Sequence, residues 1–255
     1  MQYFAKSDIG KQRKNNEDNF YAANNFFAVA DGMGGHNAGE VASKIAIDSF
    51  SEIFFKKLRE KEAVLTPKKS AKDEEKISGA LQKILIDSLK HANKKIYQEA
   101  SRNNEFSGMG TTFTAVYLFG NEAFAIHTGD SRLYLFREDE IKLLTEDHTL
   151  VFALYKEGAI SYDDMFSHPK RNYLTGILGE KEISSLECFK FTLQSDDLLL
   201  LCSDGLNSMI RDEEIKKTIV SIKNEPAETI ADALIEKANK NGGIDNITVL
   251  VIKND

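Results

Sequence analysis

Aromatic and branched residues fill residues 19–30 (NFYAANNFFAVA) and 112–137 (TFTAVYLFGNEAFAIHTGDSRLYLFR), and Gly-Asn and Gly-Asp pairs interrupt the second run. This is the pattern of hairpin strands. Three further apolar runs, LECFKFTL, DLLLLCS and NITVLVI, read as additional strands. Elsewhere the period changes. Val41, Ile45, Ile53 and Leu58, and then Ile77, Leu81, Leu85, Leu89 and Ile96, fall at spacings that share one face of a helix, which predicts long amphipathic helices over 39–58 and 77–98. DEEIKKTIVSI and PAETIADALIEKANK predict two more. The link REKEAVLTPKKSAKDEEK is charged and contains a proline, so an exposed, mobile loop is expected there, and the amino-terminal segment reads as polar. Strands and helices come in blocks rather than in strict alternation, which favours α+β layers over a parallel doubly wound sheet. At 255 residues the chain can bury a full core, and one domain over 1–255 is the default expectation.

Composition narrows the partners. A net charge of -7 argues against a nucleic-acid surface, which needs clustered Lys and Arg. No stretch approaches the roughly 20 apolar residues of a membrane span, and the amino terminus lacks the apolar core of a signal peptide. A soluble, cytoplasmic, monomeric protein is expected. Cys188 and Cys202 sit in apolar segments without metal-ligand spacing and read as plain buried thiols.

The polar residues at strand ends carry the candidate chemistry. VADGMGGH puts Asp31 and Gly32 behind an apolar run, LLLLCSDGL does the same with Asp204, AFAIHTGDSR places Asp130, and GGIDNITVLVI sets Asp245 just before a strand. Any one Asp-Gly is an ordinary turn. Several acids at strand rims can instead be aimed at one point, where they would repel one another unless cations lay between them. NNEDNF adds Glu17 and Asp18. Oxygen ligands without a His or Cys cluster indicate Mg²⁺ or Mn²⁺ rather than Zn²⁺. Arg13 stands four residues before Glu17, and its fork could hold two oxygens of a phosphate.

RKNNED, ADGMGGH, MGTT, GDSRLY, TEDHT, SDGL and DNIT occur in the order expected of metal-dependent protein phosphatases, and from about Ser7 to Ile252 the chain resembles a bacterial member of the protein phosphatase 2C family. The resemblance implies a four-layer α-β-β-α sandwich, two antiparallel sheets flanked by helix pairs, with a dinuclear Mn²⁺ or Mg²⁺ site at one rim. It implies that Asp31 bridges both ions, that Asp204 and Asp245 bind one and the Gly32 carbonyl the other, and that Glu17 and Asp18 bind or orient metal-bound water. Asp130 would share a third, weaker ion with Asp204. The implied reaction is hydrolysis of phosphoserine and phosphothreonine in proteins by direct attack of metal-bridging water, with Arg13 on the phosphoryl group. Phosphorylated proteins, a serine/threonine kinase among them, would be the partners.

Eukaryotic relatives place a His directly after the Asp-Gly; here that residue is Met33, and His36 is the candidate general acid or, equally, a group that orients water or a carboxylate. His148 and His168, either side of the segment that forms a flap in the family, read as local structural hydrogen-bonders, and Thr111 and Thr112 as supports of a strand start. Cysteine-dependent phosphatase chemistry fails on spacing, because Gln194 and Ser208 stand where an Arg is needed, and no G-x-x-x-x-G-K-[ST] loop is present. Two alternatives stay open: a non-catalytic phosphoprotein-binding module of the same fold, which loss of metal acids would mark, and a hydrolase of small phosphoesters.

Overall fold

The computed structural model describes residues 1–34, 38–66 and 71–254, so His36 lies outside the described residues. In chain order the strands are β1 (Gln2–Asp8), β2 (Asp18–Ala23), β3 (Phe26–Met33), β4 (Gly110–Thr111), β5 (Phe113–Phe119), β6 (Glu122–Thr128), β7 (Arg132–Arg137), β8 (Glu140–Leu143), β9 (Glu187–Thr192), β10 (Asp197–Cys202) and β11 (Ile247–Asn254). The helices are α1 (Ala38–Glu60), α2 (Glu62–Leu65), α3 (Ala71–Arg102), α4 (Leu150–Lys156), α5 (Asp164–Ser167), α6 (Asp204–Asn207), α7 (Asp212–Ile222) and α8 (Ala227–Lys240).

The strands form two antiparallel sheets, ordered β1-β11-β10-β7-β8 and β2-β3-β5-β6-β9, with β4 added on β3. Period-two burial explains the layering. Phe26, Ala28 and Ala30 on β3 pack with Phe50, Phe54, Leu81 and Leu85 of α1 and α3, while Phe27 and Val29 point the other way and meet Leu199, Leu201 and Leu250 between the sheets. On β10 the alternate residues Leu198, Leu200 and Cys202 pack with Ile215 and Ile219 of α7 and Leu234 of α8. The order is therefore helix pair, sheet, sheet, helix pair, the sandwich that the sequence led us to expect. The β2–β3 hairpin closes on Asn24 and Asn25, both with positive φ (54° and 59°), the residue type that best tolerates this backbone after Gly.

One expectation needs correction, and one strand went unread. The charged link is largely helical in its described part: α1 runs to Glu60, α2 follows with Leu65 buried, and α3 begins at Ala71. Its Glu, Lys and Ala are good helix formers, and Pro67 lies outside the described residues. The polar amino terminus conceals β1, which pairs along β11 from Asp8↔Ile247 to Gln2↔Lys253. It is an edge strand, so one side of it stays in solvent and its apolar pattern is diluted.

β3, β10 and β11 bring their site-bearing ends to one rim, where Asp31, Asp204 and Asp245 stand, and the turn before β7 brings Asp130 to the same place.

Candidate metal centre

A pocket of about 230 Å³ at this rim is lined by Arg13, Glu17, Asp31, Gly32, Asp130, Asp204 and Asp245, with Thr112, Asn172 and Leu174 among the remaining walls. Asp18 lies behind it, opposite Asp31 in the β2–β3 register. The structure thus gathers every sequence-derived site residue it describes.

These carboxyls are crowded and poorly hydrated. Burial, with the charges of Asp18, Asp204, Asp130 and Asp245, holds Asp31 well above the ordinary carboxylate range. Burial pushes Asp18 up to about 7 although Thr248 and Ser203 oppose it, and Asp204 up to about 6, chiefly through burial and Asp245. Asp130 is raised as well, by burial and by Asp204. Asp18 Oδ1 and Asp204 Oδ1 are buried without a hydrogen-bond partner. Acidic oxygens kept dry and partnerless, beside other crowded carboxyls, form a donor set complementary to hard divalent cations.

The second layer of contacts holds these acids in place. Asp31 N donates to Thr112 Oγ1 at 2.9 Å, and Thr111 Oγ1 and Thr112 N both donate to the Asp31 carbonyl, so the two threonines do support the strand end. Ser203 Oγ and Thr248 Oγ1 donate to Asp18 Oδ2 at 2.7 and 2.6 Å. Gly32 is irreplaceable for space: a Cβ there would sit 2.0 Å from the Gly39 carbonyl oxygen and 2.6 Å from that of Glu17.

Asn246 is a position beside the site that sequence reasoning missed. It is 4 % exposed; its Oδ1 accepts from Glu17 N at 2.8 Å, and its Nδ2 donates to the Ile9 and Asn15 carbonyls, both at 3.0 Å. One side chain therefore pins both ends of the loop carrying Arg13 to the residue that follows Asp245. The sequence DNIT contained it, but its three partners are more than 200 positions away. Arg13 itself donates through Nη2 to Asp245 Oδ2 at 2.6 Å while its side chain remains half exposed.

His127, His148 and His168 make structural contacts. His127 Nδ1 meets Thr114 Oγ1 at 2.8 Å and its Nε2 the Glu146 carbonyl at 3.0 Å, and burial lowers it to about 4. His148 Nδ1 accepts from Gly129 N, and its Nε2 lies 3.2 Å from Glu187 Oε1. Lys170 N donates to His168 Nδ1. The ligand atoms of His127, His148 and Glu187 lie within 4.8 Å of one another, yet both His127 nitrogens are already engaged. Burial pushes Cys188 up to about 11 and Cys202 higher still, so neither is a ready thiolate nucleophile. A larger cavity, about 560 Å³, opens at the opposite end of β7, β10 and β11. There Arg137 forks onto Asp197 and Lys223 bonds Asp139, so these two cations are already paired.

Residues 10–239 match the protein phosphatase 2C family. Over 253 residues the chain is 38% identical to the serine/threonine phosphatase stp of Listeria innocua, covering 97% of this chain and 94% of that protein. The crystal structure of the Mycobacterium tuberculosis serine/threonine phosphatase PstP superposes with a TM-score of 0.79 at 34% identity, over 98% of this chain and 97% of that one. The catalytic domain of PstP in complex with 2 manganese ions gives 0.78 at 32% identity, over 100% and 98%.

Proposed function

The chain belongs to the protein phosphatase 2C family and is a serine/threonine protein phosphatase, and from that premise we propose that its rim acids hold two divalent cations for hydrolysis of phosphoserine and phosphothreonine. The observation that carries this reading is the pair of buried, partnerless oxygens, Asp18 Oδ1 and Asp204 Oδ1, beside an Asp31 that burial and its acidic neighbours hold well above the ordinary carboxylate range. A solved relative holding two manganese ions supports it. Asp31, Asp204, Asp245 and the Gly32 carbonyl would hold the two ions, Asp130 and Asp204 a third and weaker one. When bound, Mn²⁺ or Mg²⁺ supplies Lewis acidity that lowers the pKa of water towards neutrality and draws charge from phosphoryl oxygens.

The chain's own groups do the rest. Glu17 and Asp18 orient water at the rim, with Ser203 and Thr248 fixing the Asp18 carboxylate. Arg13 turns its guanidinium from Asp245 to the phosphoryl oxygens and anchors the substrate for in-line attack, so no side-chain nucleophile is needed. His36 is the group we assign to protonating the leaving hydroxyl or orienting water. We read the chain as one catalytic domain over 1–255, a cytoplasmic monomer that reverses the product of a serine/threonine kinase; no helix among the described residues is long and apolar enough to cross a membrane.

The test is turnover of phosphothreonine peptides and of small phosphoesters by metal-stripped protein, with and without Mn²⁺ or Mg²⁺. Activity should return only with the cation and extend to the peptides. Full turnover in excess chelator would refute the dinuclear reading, and turnover of small esters alone would refute protein substrates.

A further inference from the structure

Beside the metal pocket lies a second cleft of about 310 Å³, which shares Asp130, Asn172 and Asp204 with it. Its charge is unevenly spent. Arg132 is buried and largely spent: Nε and Nη2 fork onto Asp147 at 2.8 and 2.6 Å, and Nη1 reaches Tyr134 Oη and Asp212 Oδ1. That network also consumes Asp147. Asp130 and Asp204 belong to the cation site. Two exposed guanidiniums remain, Arg171 and Arg211, and among the described residues neither makes a hydrogen bond or an ion pair through its side chain.

Arg211 is held ready for a ligand. It stands at the cap position before α7, and its guanidinium lies over the Phe166 ring of α5, 3.1 Å from the centroid. Phe166 meets Tyr162 edge-on at 5.3 Å and Tyr162 meets Tyr155 likewise at 5.7 Å, so the cation rests on an aromatic shelf. Stacking uses the face of a guanidinium and leaves its edge N–H donors free, the geometry that receives a carboxylate as a fork. The shared walls Asp130, Asn172 and Asp204 put this cleft next to the place where a substrate's phosphate would sit, within reach of the residues that flank it.

We propose that this cleft is a specificity subsite for an aspartate or glutamate flanking the phosphorylated residue of the substrate, read by Arg211 with Arg171 beside it. The inference rests on the reading that phosphoproteins are hydrolysed at the adjoining metal pocket.

The experiment uses phosphothreonine peptides that differ only in carrying Asp, Ala or Lys at each of the three positions on either side. kcat/KM with Mn²⁺ is measured for the parent, Arg211→Ala and Arg211→Glu. The parent should favour Asp over Lys about tenfold or more at one flanking position, Arg211→Ala should bring that ratio close to unity, and Arg211→Glu should invert it. Because each ratio is taken within one variant, a general loss of activity does not imitate the effect. A parent indifferent to flanking charge at every position, or an Arg211→Glu variant that keeps the parental ratio, overturns the subsite. Hydrolysis of p-nitrophenyl phosphate with no hydrolysis of any peptide would instead refute the protein-substrate reading, and the subsite would fall with it.

Discussion

Replacing Asp18 by Asn should stabilise the metal-free protein above neutral pH. The carboxyl is buried beside Asp204 and Asp245, and its pKa is raised from 3.8 to about 7. Since the folded value lies above the unfolded one, the favourable contribution is complete below about pH 4, where the group is protonated in both states, and is lost as pH rises through about 7. That rise is worth about 4 kcal/mol at pH 8, the cost of ionising the group in place. Asn carries no charge at any pH, and its Oδ1 can still accept from Ser203 Oγ and Thr248 Oγ1 as Asp18 Oδ2 does now. The variant should match the parent near pH 4 and exceed it by about 4 kcal/mol at pH 8, a gain of roughly 10 °C in Tm for a chain of this size. The assay is thermal and urea unfolding of chelated protein in steps from pH 4.5 to 8.5. Adding Mn²⁺ should reverse the order, because a ligand that binds only the folded state stabilises the parent, with its full set of acids, by more. A variant no more stable than the parent at pH 8 without metal, or a difference independent of pH, would refute the reasoning.

Arg13→Ala should weaken competitive inhibition by inorganic phosphate roughly ten- to a hundredfold while metal stoichiometry holds; unchanged inhibition would leave Arg13 only the ion pair with Asp245. Asn246→Ala strands Glu17 N and the Ile9 and Asn15 carbonyls, and should lower stability in urea by about 3 kcal/mol and weaken phosphate binding through the Arg13 loop. A loss confined to stability would confine Asn246 to a structural role. Asp130→Ala should keep two tightly bound ions by elemental analysis yet turn over far more slowly, and loss of a tight ion would show that Asp130 belongs to the main pair.

How much of this was legible beforehand depends on how far each feature reaches along the chain. DEEIKKTIVSI predicted α7 over the bounds observed, because a helix of that length is specified by its own 3.6-residue period and acidic first turn. DLLLLCS predicted β10, and the structure buries that strand on both faces. The acids were visible as strand-end residues, and the resemblance of ordered motifs supplied the roles to propose for them. β1 was not legible, since an edge strand with mixed polarity is a strand only because β11 offers it a partner more than 200 residues away. Helicity in the charged link was hidden by the proline, which punctuates a sequence more strongly than it must disrupt a helix that restarts beyond it.

By itself the sequence determined the layered class, the principal helices and strands, and which acidic residues stand at strand ends, because each is encoded within a window of a dozen residues. Only the tertiary structure decided that Asp18 faces Asp31 across a hairpin, that Arg13 lies on Asp245, that Asn246 ties the amino-terminal loop to the last strand, and that Arg211 rests on Phe166 in the cleft beside the metal pocket. The physical reason is that burial and charge proximity arise from the packing of two sheets against each other. A carboxyl next to a glycine has the same local sequence whether it faces solvent or three other acids, and only the closed rim sets its partners and its proton affinity.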